Sequence, residues 1–324
     1  MKIFITGATG YIGGALCRRW AEQGHDLHAL VRPTSDRQEL DSLGVQCYVG
    51  DTTDAESLRE GMSGSDWVVH AAAMLDPRSD PEEMHRANVL GSDIVAGTAY
   101  EKGVGRFLSI SSMAYFGGSP PDGAPAREDS APQLPFPTDY SATKNAGEQA
   151  IQSWAAKGLP VITVYPSLVY GPPGGKRGVN SLIRLAVKGR LPVLVGARLK
   201  TSWVYLEDLV DGIDLLLQKA SPGQKFLMTG EVATIEEAVA KVCALTGASP
   251  PRFQVPAGVA WWILTAMDVL YRLQGRRQPV SKQHLKSLQR QWCFDDSLAR
   301  RELDWKPRDL DEGLPPTIEF LQSL

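Results

Sequence analysis

Short apolar runs alternate with amphipathic segments over the first 110 residues of the chain. Such runs predict buried strands, and apolar residues at helical spacing between them predict helices. The first predicted strand starts at Lys2, and the others cover residues 27–31, 45–49, 67–71 and 106–110. The predicted helices cover residues 11–23, 54–62 and 82–101. Because strands that alternate with helices form a parallel sheet covered on both faces, we expect an α/β fold with a doubly wound parallel sheet.

The alternation is less regular in the second half of the chain. It predicts helices at residues 179–188 and 207–219 and strands at residues 191–195 and 202–206. Thr234 and Glu237 have the spacing of a capping box, which predicts the start of another helix, and Thr53 and Glu56 have the same spacing. We expect residues 171–324 to form a smaller α/β part that is not an independent domain.

Three glycines follow the first strand: Gly7, Gly10 and Gly13. Glycine at these positions lets the backbone turn off the strand, approach a ligand closely and pack the next helix on the sheet. The N-terminus of that helix presents N–H groups and a positive dipole end, which suit a pyrophosphate. The spacing departs from G-x-G-x-x-G, so a structural glycine turn is the alternative. The context of strand, turn, helix and second strand favours a dinucleotide and a Rossmann-type domain over residues 1–170.

The second strand ends at Arg32, where NAD-binding proteins of this type carry an acidic residue for the ribose 2′-hydroxyl. A guanidinium suits a 2′-phosphate, because it donates paired, charge-assisted hydrogen bonds. We therefore expect NADP, with NAD possible and with Arg37 as an assisting residue. The alternative is a solvated arginine at the start of a loop.

Composition narrows the class of protein. The chain has 324 residues, of which 43% are hydrophobic and 22% charged, and its net charge of −3 gives no reason to expect nucleic acid as a partner. The cysteines form no C-x-x-C pair, so we expect neither a disulfide framework nor a metal site. The first strand starts at once and leaves no room for a signal peptide, so we expect a cytoplasmic protein.

Residues 117–137 form a long loop rich in proline and glycine, which then enters a predicted helix at Asp139. Tyr140 and Lys144 are four residues apart and share one face of that helix. A tyrosine has a pKa of about 10, and a nearby ammonium group is expected to lower it into a range useful for proton transfer.

Several motifs, taken in order, resemble the extended short-chain dehydrogenase/reductase family. They are Thr6-Gly-Ala-Thr-Gly-Tyr-Ile-Gly13, the Ser-Ser stretch that ends at Gly117, Tyr140-x-x-x-Lys144, Pro166-Ser-Leu-Val-Tyr-Gly-Pro172 and Leu303-Asp-Trp-Lys-Pro307. The resemblance is to the NAD-dependent epimerase/dehydratase-like members, with the branch of 3β-hydroxysteroid dehydrogenases and dihydroflavonol reductases most similar.

The resemblance implies roles for individual residues. Ser112, chosen over Ser111 by counting back from Gly117, would hydrogen-bond the substrate oxygen, and Tyr140 would be the acid or base. Lys144 would hold the cofactor ribose, and Asn88 would anchor a proton relay. Together with the glycine motif, it gives the following cofactor-binding residues: Gly7, Thr9, Gly10, Tyr11, Ile12, Gly13, Arg32, Asp51, Thr52, Ala71, Ala72, Ala73, Tyr140, Lys144, Pro166, Ser167 and Val169.

Three functions are compatible with these residues. The first is an NADP(H)-dependent oxidoreductase acting on a carbonyl or secondary alcohol of an apolar small molecule, with a homodimer possible. The second is a nucleotide-sugar epimerase or dehydratase. Sugar-nucleotide members usually carry arginine where Tyr165 stands and an Arg-Asp pair where Thr201 and Ser202 stand, although other arginines could substitute: Arg177, Arg184 and Arg198. The third is a cofactor-binding protein without catalysis, which the retained tyrosine and lysine disfavour.

Residues 255–267 form an apolar segment that includes Trp261 and Trp262 and is followed by a basic stretch. The segment is too short to span a bilayer before Asp268 interrupts it. We expect a half-buried core helix, with an apolar wall of the substrate site and an interfacial membrane helix as alternatives.

Overall fold

The computed structural model describes residues 1–76, 78–174, 178–256, 258–263 and 282–324. The strands are β1 (Lys2–Thr6), β2 (Asp26–Val31), β3 (Gln46–Val49), β4 (Trp67–His70), β5 (Arg106–Ile110), β6 (Val161–Pro166), β7 (Leu168–Tyr170), β8 (Val193–Val195), β9 (Lys200–Tyr205), β10 (Lys225–Met228), β11 (Glu231–Thr234) and β12 (Phe253–Val255). The helices are α1 (Tyr11–Glu22), α2 (Gln38–Ser42), α3 (Ala55–Met62), α4 (Pro81–His85), α5 (Gly91–Glu101), α6 (Asp139–Ala155), α7 (Gly178–Val187), α8 (Leu206–Lys219), α9 (Ile235–Thr246), α10 (Lys282–Ser287), α11 (Ser297–Leu303) and α12 (Leu310–Gln322).

A seven-stranded sheet forms the centre of the molecule, with the strand order β10-β6-β5-β4-β1-β2-β3. Every neighbouring pair in it is parallel. The inner strands β4 and β6 are buried along their whole length, as expected for a parallel sheet covered on both faces. The prediction of a doubly wound parallel sheet is confirmed.

Helices cover the two faces of this sheet and enclose two apolar cores. Helices α1, α8 and α11 pack together on one face, with Trp20 and Leu209 in the core beneath them. Helices α3, α5 and α6 pack on the other face, over a core that includes Phe107 and Ile151. Because all strands are parallel, their carboxyl ends meet at one edge, where α/β sheets bind their ligands.

The second half of the chain adds a smaller layer with its own core. A three-stranded sheet, β11-β9-β7, and the parallel pair β12-β8 pack with α7, α9 and α12 around residues such as Trp203 and Leu314. Strand β10 and helix α8 also come from this half, yet they belong to the central sheet and its cover. The predicted domain boundary at residue 170 therefore stays a prediction. In the structure, elements from both halves of the chain pack together in the central sheet and its cover.

Two local predictions need correction, and one is confirmed. The helix predicted over residues 82–101 is divided into α4, a π-helical turn over Arg86–Leu90 and α5. The capping box of Thr53 and Glu56 is wrong: the Thr53 hydroxyl donates to the Asp51 carboxylate, so Asp54 caps α3 by accepting from the backbone N–H of Glu56. The capping box of Thr234 and Glu237 at the start of α9 is confirmed.

The apolar segment predicted over residues 255–267 is only partly described. Residues 258–263 are helical, with Ala260 buried and Trp262 exposed, and the basic stretch up to residue 281 lies outside the described residues. Within the described ranges, no helix combines the length and the apolar character that crossing a bilayer requires.

Candidate active site

The glycine turn between β1 and α1 is packed so closely that two of its glycines are required. Gly7 has a φ of +77°, and a Cβ there would lie 2.7 Å from the backbone of Ala71 and Ala72. A Cβ on Gly13 would lie 2.2 Å from the carbonyl oxygen of Gly7. The N-cap of α1 is Gly10, which offers no side-chain hydrogen bond, so the first N–H groups of α1 point to this turn without a side-chain acceptor. The turn therefore suits an anion.

Tyr11, predicted as a cofactor-binding residue, joins the glycine turn to the second half of the chain. Its hydroxyl donates to the carbonyl oxygen of Gly171 at 2.5 Å and accepts from Asn180 Nδ2 at 3.1 Å. Asn180 Oδ1 also accepts from the backbone N–H of Gly171, at 3.0 Å. Burial raises the pKa of Tyr11 above its ordinary value. Asn180 is a residue of this region that the sequence patterns did not reveal.

The ends of β2 and β3 bring Arg32 and Asp51 into the same electrostatic environment. Burial raises the pKa of Asp51, but hydrogen bonds from Thr53 and the charges of Arg86 and Arg32 outweigh it, so the pKa is lowered overall. Arg32 is exposed at this edge of the sheet. Arg37, the predicted assisting residue, instead lies in an ion pair with Asp41, with 3.5 Å between Nε and Oδ2.

A cavity of about 500 Å³ opens beside the glycine turn. Its lining is partly acidic, and it consists of Ala8, Thr9, Asp36, Gln38, Glu39, Leu40 and Ser42. Arg18 pairs with Glu39 at 2.5 Å and so offsets one of the two carboxylates. The carboxylate of Asp36 that remains in the lining opposes an anionic group in this cavity.

Asn88 connects the loop after β4 with helix α6. Its Oδ1 accepts from the backbone N–H of Met74 at 2.7 Å, while its Nδ2 donates to the carbonyl oxygen of Met74 at 2.9 Å and to Thr143 Oγ1 at 3.1 Å. Asn88 lies in the π-helical turn, a distortion that is frequent at functional sites. The contacts give Asn88 a positioning role beside Ala71–Ala73, and its part in a proton relay stays a prediction.

Ser112, Tyr140 and Lys144 meet at the end of β5. Ser112 follows that strand, and its Oγ accepts a hydrogen bond from the backbone N–H of Ala114 at 3.1 Å and lies near the side chain of Tyr140. Thr138 caps α6 by accepting from the backbone N–H of Ser141 at 3.0 Å, which fixes where the helix begins. Lys144, one turn later, donates from Nζ to the carbonyl oxygen of Ile110 at 3.2 Å.

Burial determines the protonation of this group of side chains. It raises the pKa of Tyr140 to about 12, and the hydrogen bond from Ser112 opposes the shift. It lowers the pKa of Lys144 to about 8, and the charge of Glu148 opposes that shift. The expected lowering of the Tyr140 pKa by Lys144 is not found: burial of the phenol raises the pKa, and Ser112, not Lys144, opposes the shift. At neutral pH Tyr140 therefore holds its proton and Lys144 its charge.

The remaining predicted residues lie along the same edge of the sheet. Ser167, between β6 and β7, is buried and donates to the carbonyl oxygen of Thr229 at 2.7 Å, while Pro166 ends β6 and Val169 is half-buried on β7. Ala71 follows β4, and its N–H donates to the carbonyl oxygen of Thr6 at 3.1 Å. The fold thus brings the glycine turn, residues 71–73, Ser112, Tyr140, Lys144 and residues 166–169 to one edge, with Arg32 and Asp51 at its far end.

The positions where sugar-nucleotide enzymes carry charged residues are buried here. Tyr165 is fully buried and donates to Glu148, and Ser202 Oγ accepts from the backbone N–H of Phe294 at 3.2 Å. Thr201 is 1% exposed, and its hydroxyl has no hydrogen-bond partner among the described residues. Of the possible substitutes, Arg184 is half-buried on α7 and Arg198 is exposed. Arg177 lies outside the described residues.

Arg290 is a further cation near the predicted site, and its guanidinium is occupied. It donates to the carbonyl oxygens of Gly117 at 2.6 Å, Gln133 at 2.9 Å and Pro135 at 2.5 Å. These hydrogen bonds hold both ends of the loop that precedes Tyr140. Because three of its N–H groups bind backbone carbonyl oxygens, the Arg290 guanidinium has few donors left for a phosphate.

Comparisons with known proteins agree with this geometry. Residues 3–228 match the NAD dependent epimerase/dehydratase family. The chain is 31% identical to sterol demethylase protein B of Methylococcus capsulatus, over 100% of this chain and 99% of the relative. It is 28% identical to 2-alkyl-3-oxoalkanoate reductase of Stenotrophomonas maltophilia, over 97% of each chain. The crystal structure of gox2253 superposes with a TM-score of 0.85 at 29% identity, covering 99% of this chain and 98% of that chain.

Proposed function

The chain belongs to the NAD dependent epimerase/dehydratase family, and we propose that it is an NADP(H)-dependent oxidoreductase. It is an enzyme that uses NAD(P), and the proposed reaction moves hydride between the nicotinamide and the carbonyl or secondary alcohol carbon of an apolar small molecule. The observation that carries the proposal is the placement of Ser112 and Tyr140 together at the end of β5, with Lys144 one helical turn away and held by the carbonyl oxygen of Ile110 at 3.2 Å.

The residues around the glycine turn fit a dinucleotide. A Cβ on Gly7 or Gly13 would collide with the backbone, and the N-terminus of α1 lacks a side-chain cap, so the turn can receive a pyrophosphate. Along the edge of the sheet, the family resemblance gives residues 71–73 to pyrophosphate and ribose, Lys144 to ribose, Asp51 to adenine, and residues 166–169 to nicotinamide. When bound, NADPH would supply the hydride.

NADP is proposed over NAD because Arg32 stands where a carboxylate would otherwise contact the ribose. Two observations reduce the expected preference for NADPH over NADH. Asp36 and Glu39 place negative charge in the cavity beside the glycine turn, and Arg37 is held in an ion pair with Asp41. We therefore expect a small preference for NADPH.

The side chains of Ser112 and Tyr140 can act on a substrate oxygen placed between them. Both hydroxyls donate toward the negative charge that develops on that oxygen during reduction. Tyr140 then gives up its proton, and the charge of Lys144 stabilises the phenolate that remains. A pKa of about 12 keeps Tyr140 protonated at neutral pH, which suits a general acid in the direction of reduction.

A nucleotide-sugar epimerase or dehydratase is the second candidate. The diphosphate of such a substrate needs cations, yet Thr201 and Tyr165 occupy the usual positions and Arg290 is engaged by three carbonyl oxygens. These observations favour a substrate without a diphosphate. The related reductase from Stenotrophomonas maltophilia supports the same choice. A cytoplasmic location and a homodimer remain predictions.

The test is a panel of substrates with NADPH. Aliphatic, alicyclic and β-keto carbonyl compounds are incubated with the purified protein and NADPH, and oxidation of the cofactor is followed by absorbance. UDP- and dTDP-sugars are incubated in parallel and analysed for epimerised or dehydrated products. Turnover of a carbonyl compound that Tyr140→Phe abolishes supports the proposal. Turnover of a nucleotide sugar alone would overturn it.

A further inference from the structure

A buried carboxylate lies beside the proposed catalytic residues and has no role in the mechanism so far. Glu148 is on α6, four residues after Lys144, and its side chain is 2% exposed. Its Oε2 accepts from Ser111 Oγ at 2.7 Å. Its Oε1 accepts from the hydroxyl of Tyr165 and from Lys225 Nζ, the latter at 3.4 Å.

The three partners of Glu148 come from three neighbouring strands. Ser111 follows β5 and is adjacent in sequence to Ser112, whereas Tyr165 is in β6 and precedes Pro166. Lys225 begins β10, the edge strand contributed by the second half of the chain. One side chain thus connects the catalytic helix to the strand that carries Ser112, to the strand that leads to the proposed nicotinamide wall, and to the sheet edge.

A carboxylate this deeply buried is retained only if its charge is satisfied. An unpaired buried charge costs several kcal/mol or more, and the cost falls when hydrogen bonds and an opposite charge surround it. Glu148 has two hydroxyl donors and one ammonium donor. Lys225 reaches it from the protein surface, with 32% of its side chain exposed, and supplies the counter-charge.

The charge of Glu148 also acts on Lys144, which shares its face of α6. The groups that face Lys144 from other elements provide little compensation. His70 on β4 is hydrogen-bonded to Thr6 and Ser92, and burial lowers its pKa to about 3, so it is neutral. Strand β5 contributes the carbonyl oxygen of Ile110. Glu148 is thus the charge that offsets the desolvation of Lys144.

We propose that Glu148 is a positioning residue that holds α6 against the ends of β5 and β6 and keeps the ammonium of Lys144 protonated, with Lys225 as its counter-ion. This inference rests on the proposed function, because it gives Lys144 the task of stabilising the Tyr140 phenolate. Tyr165 and Tyr115 are the phenols near Glu148, and burial together with its charge keeps both protonated.

Two substitutions separate the charge of Glu148 from its shape. Glu148→Gln keeps the size of the side chain and removes the charge, whereas Glu148→Asp keeps the charge and shortens the side chain. The proton on Lys144 is read directly, from the pH titration of its Cε NMR signal in protein labelled with ¹³C-lysine, with Lys144→Met assigning the signal. The pH profile of kcat/KM is measured in parallel on the same proteins.

We expect Glu148→Gln to move the Lys144 titration and the alkaline fall in kcat/KM to lower pH by about one unit. Glu148→Asp should leave both near their original pH. Unchanged titration in Glu148→Gln, or equal shifts in both variants, would overturn the charge role. Since the NMR titration needs no turnover, it tests Glu148 even if the proposed reaction fails.

Tyr165→Phe tests the positioning role without changing Glu148 itself. It therefore gives a result even if the Glu148 variants do not fold. It removes one hydrogen bond to Glu148 and leaves the charge in place. We expect kcat/KM to fall about three- to tenfold, with the alkaline limb at an unchanged pH. Unchanged kcat/KM in Tyr165→Phe would contradict a positioning role for this contact.

Discussion

Cofactor preference offers a quantitative test, because it depends on one exposed arginine in a partly acidic environment. Replacing Arg32 by alanine removes the cation proposed to meet the 2′-phosphate of NADPH. A hydrogen bond to a charged group contributes about 1.5–3 kcal/mol, and exposed ion pairs contribute less than buried ones. Arg32 is exposed, and Asp36 and Glu39 lie in the adjacent cavity. We therefore take the lower end, about 1.5 kcal/mol, which corresponds to roughly tenfold in Kd.

The assay is a titration of NADPH and NADH followed by the change in cofactor fluorescence. Arg32→Ala should weaken NADPH binding about tenfold and leave NADH binding nearly unchanged, since NADH lacks the phosphate. Arg37→Ala is the matched control: its guanidinium is paired with Asp41, so removing it should change NADPH binding less than twofold. Higher salt should reduce the effect of Arg32→Ala, because the contact is exposed.

Two results would refute the reasoning. If the unmutated protein binds NADPH and NADH equally well, Arg32 does not select the phosphate. If Arg32→Ala weakens both cofactors by the same factor, the arginine acts on the shape of the loop and not on the 2′-phosphate.

The remaining predictions concern the proposed catalytic residues and the link between the two halves of the chain. Tyr140→Phe should reduce turnover 10²–10⁴-fold and leave the Kd of NADPH nearly unchanged, since it removes the general acid but only one oxygen among the many proposed cofactor contacts; near-normal turnover in a stopped-flow assay would exclude this role. The rate of reduction should fall as the pH rises through about 8, because Lys144 then loses the charge that stabilises the phenolate; a pH profile that stays flat up to pH 10 would contradict that assignment. Tyr11→Phe should lower the free energy of unfolding by about 1–3 kcal/mol, because the buried carbonyl of Gly171 and the amide of Asn180 lose a hydrogen-bond partner. An unchanged urea unfolding curve would show that this link does not stabilise the protein.

Much of the architecture follows from the sequence because the relevant patterns are local. Burial on both faces of a parallel sheet requires continuous apolar runs, and these located the first five strands to within one or two residues. The need for Gly13 is equally local, since a Cβ there would meet the carbonyl oxygen of Gly7, whereas Gly7 is also required by the backbone of Ala71 and Ala72 after β4. The spacing of Tyr140 and Lys144 fixes their common helical face for the same reason.

Capping and helix continuity were predicted less reliably, because neighbouring groups compete for the same donors and acceptors. Thr53 has the spacing of an N-cap residue, but the carboxylate of Asp51 takes its hydroxyl, and Asp54 becomes the cap. The helix expected over residues 82–101 contains a π-helical turn where Asn88 binds the loop after β4. That contact joins the helix to a loop that is distant in sequence, and a pattern of neighbouring residues cannot reveal such a contact.

The electrostatics of the proposed site were decided by the tertiary structure. The sequence places Lys144 beside Tyr140 and suggests a lowered tyrosine pKa, whereas the folded protein raises it to about 12 because the phenol is buried. Glu148, Tyr165 and Lys225 come from one helix and two strands, and only the packed sheet brings them together. Periodicity in the sequence determined the elements and the face on which each side chain lies. Desolvation and long-range pairing, which depend on everything packed around a group, determined how those side chains are charged.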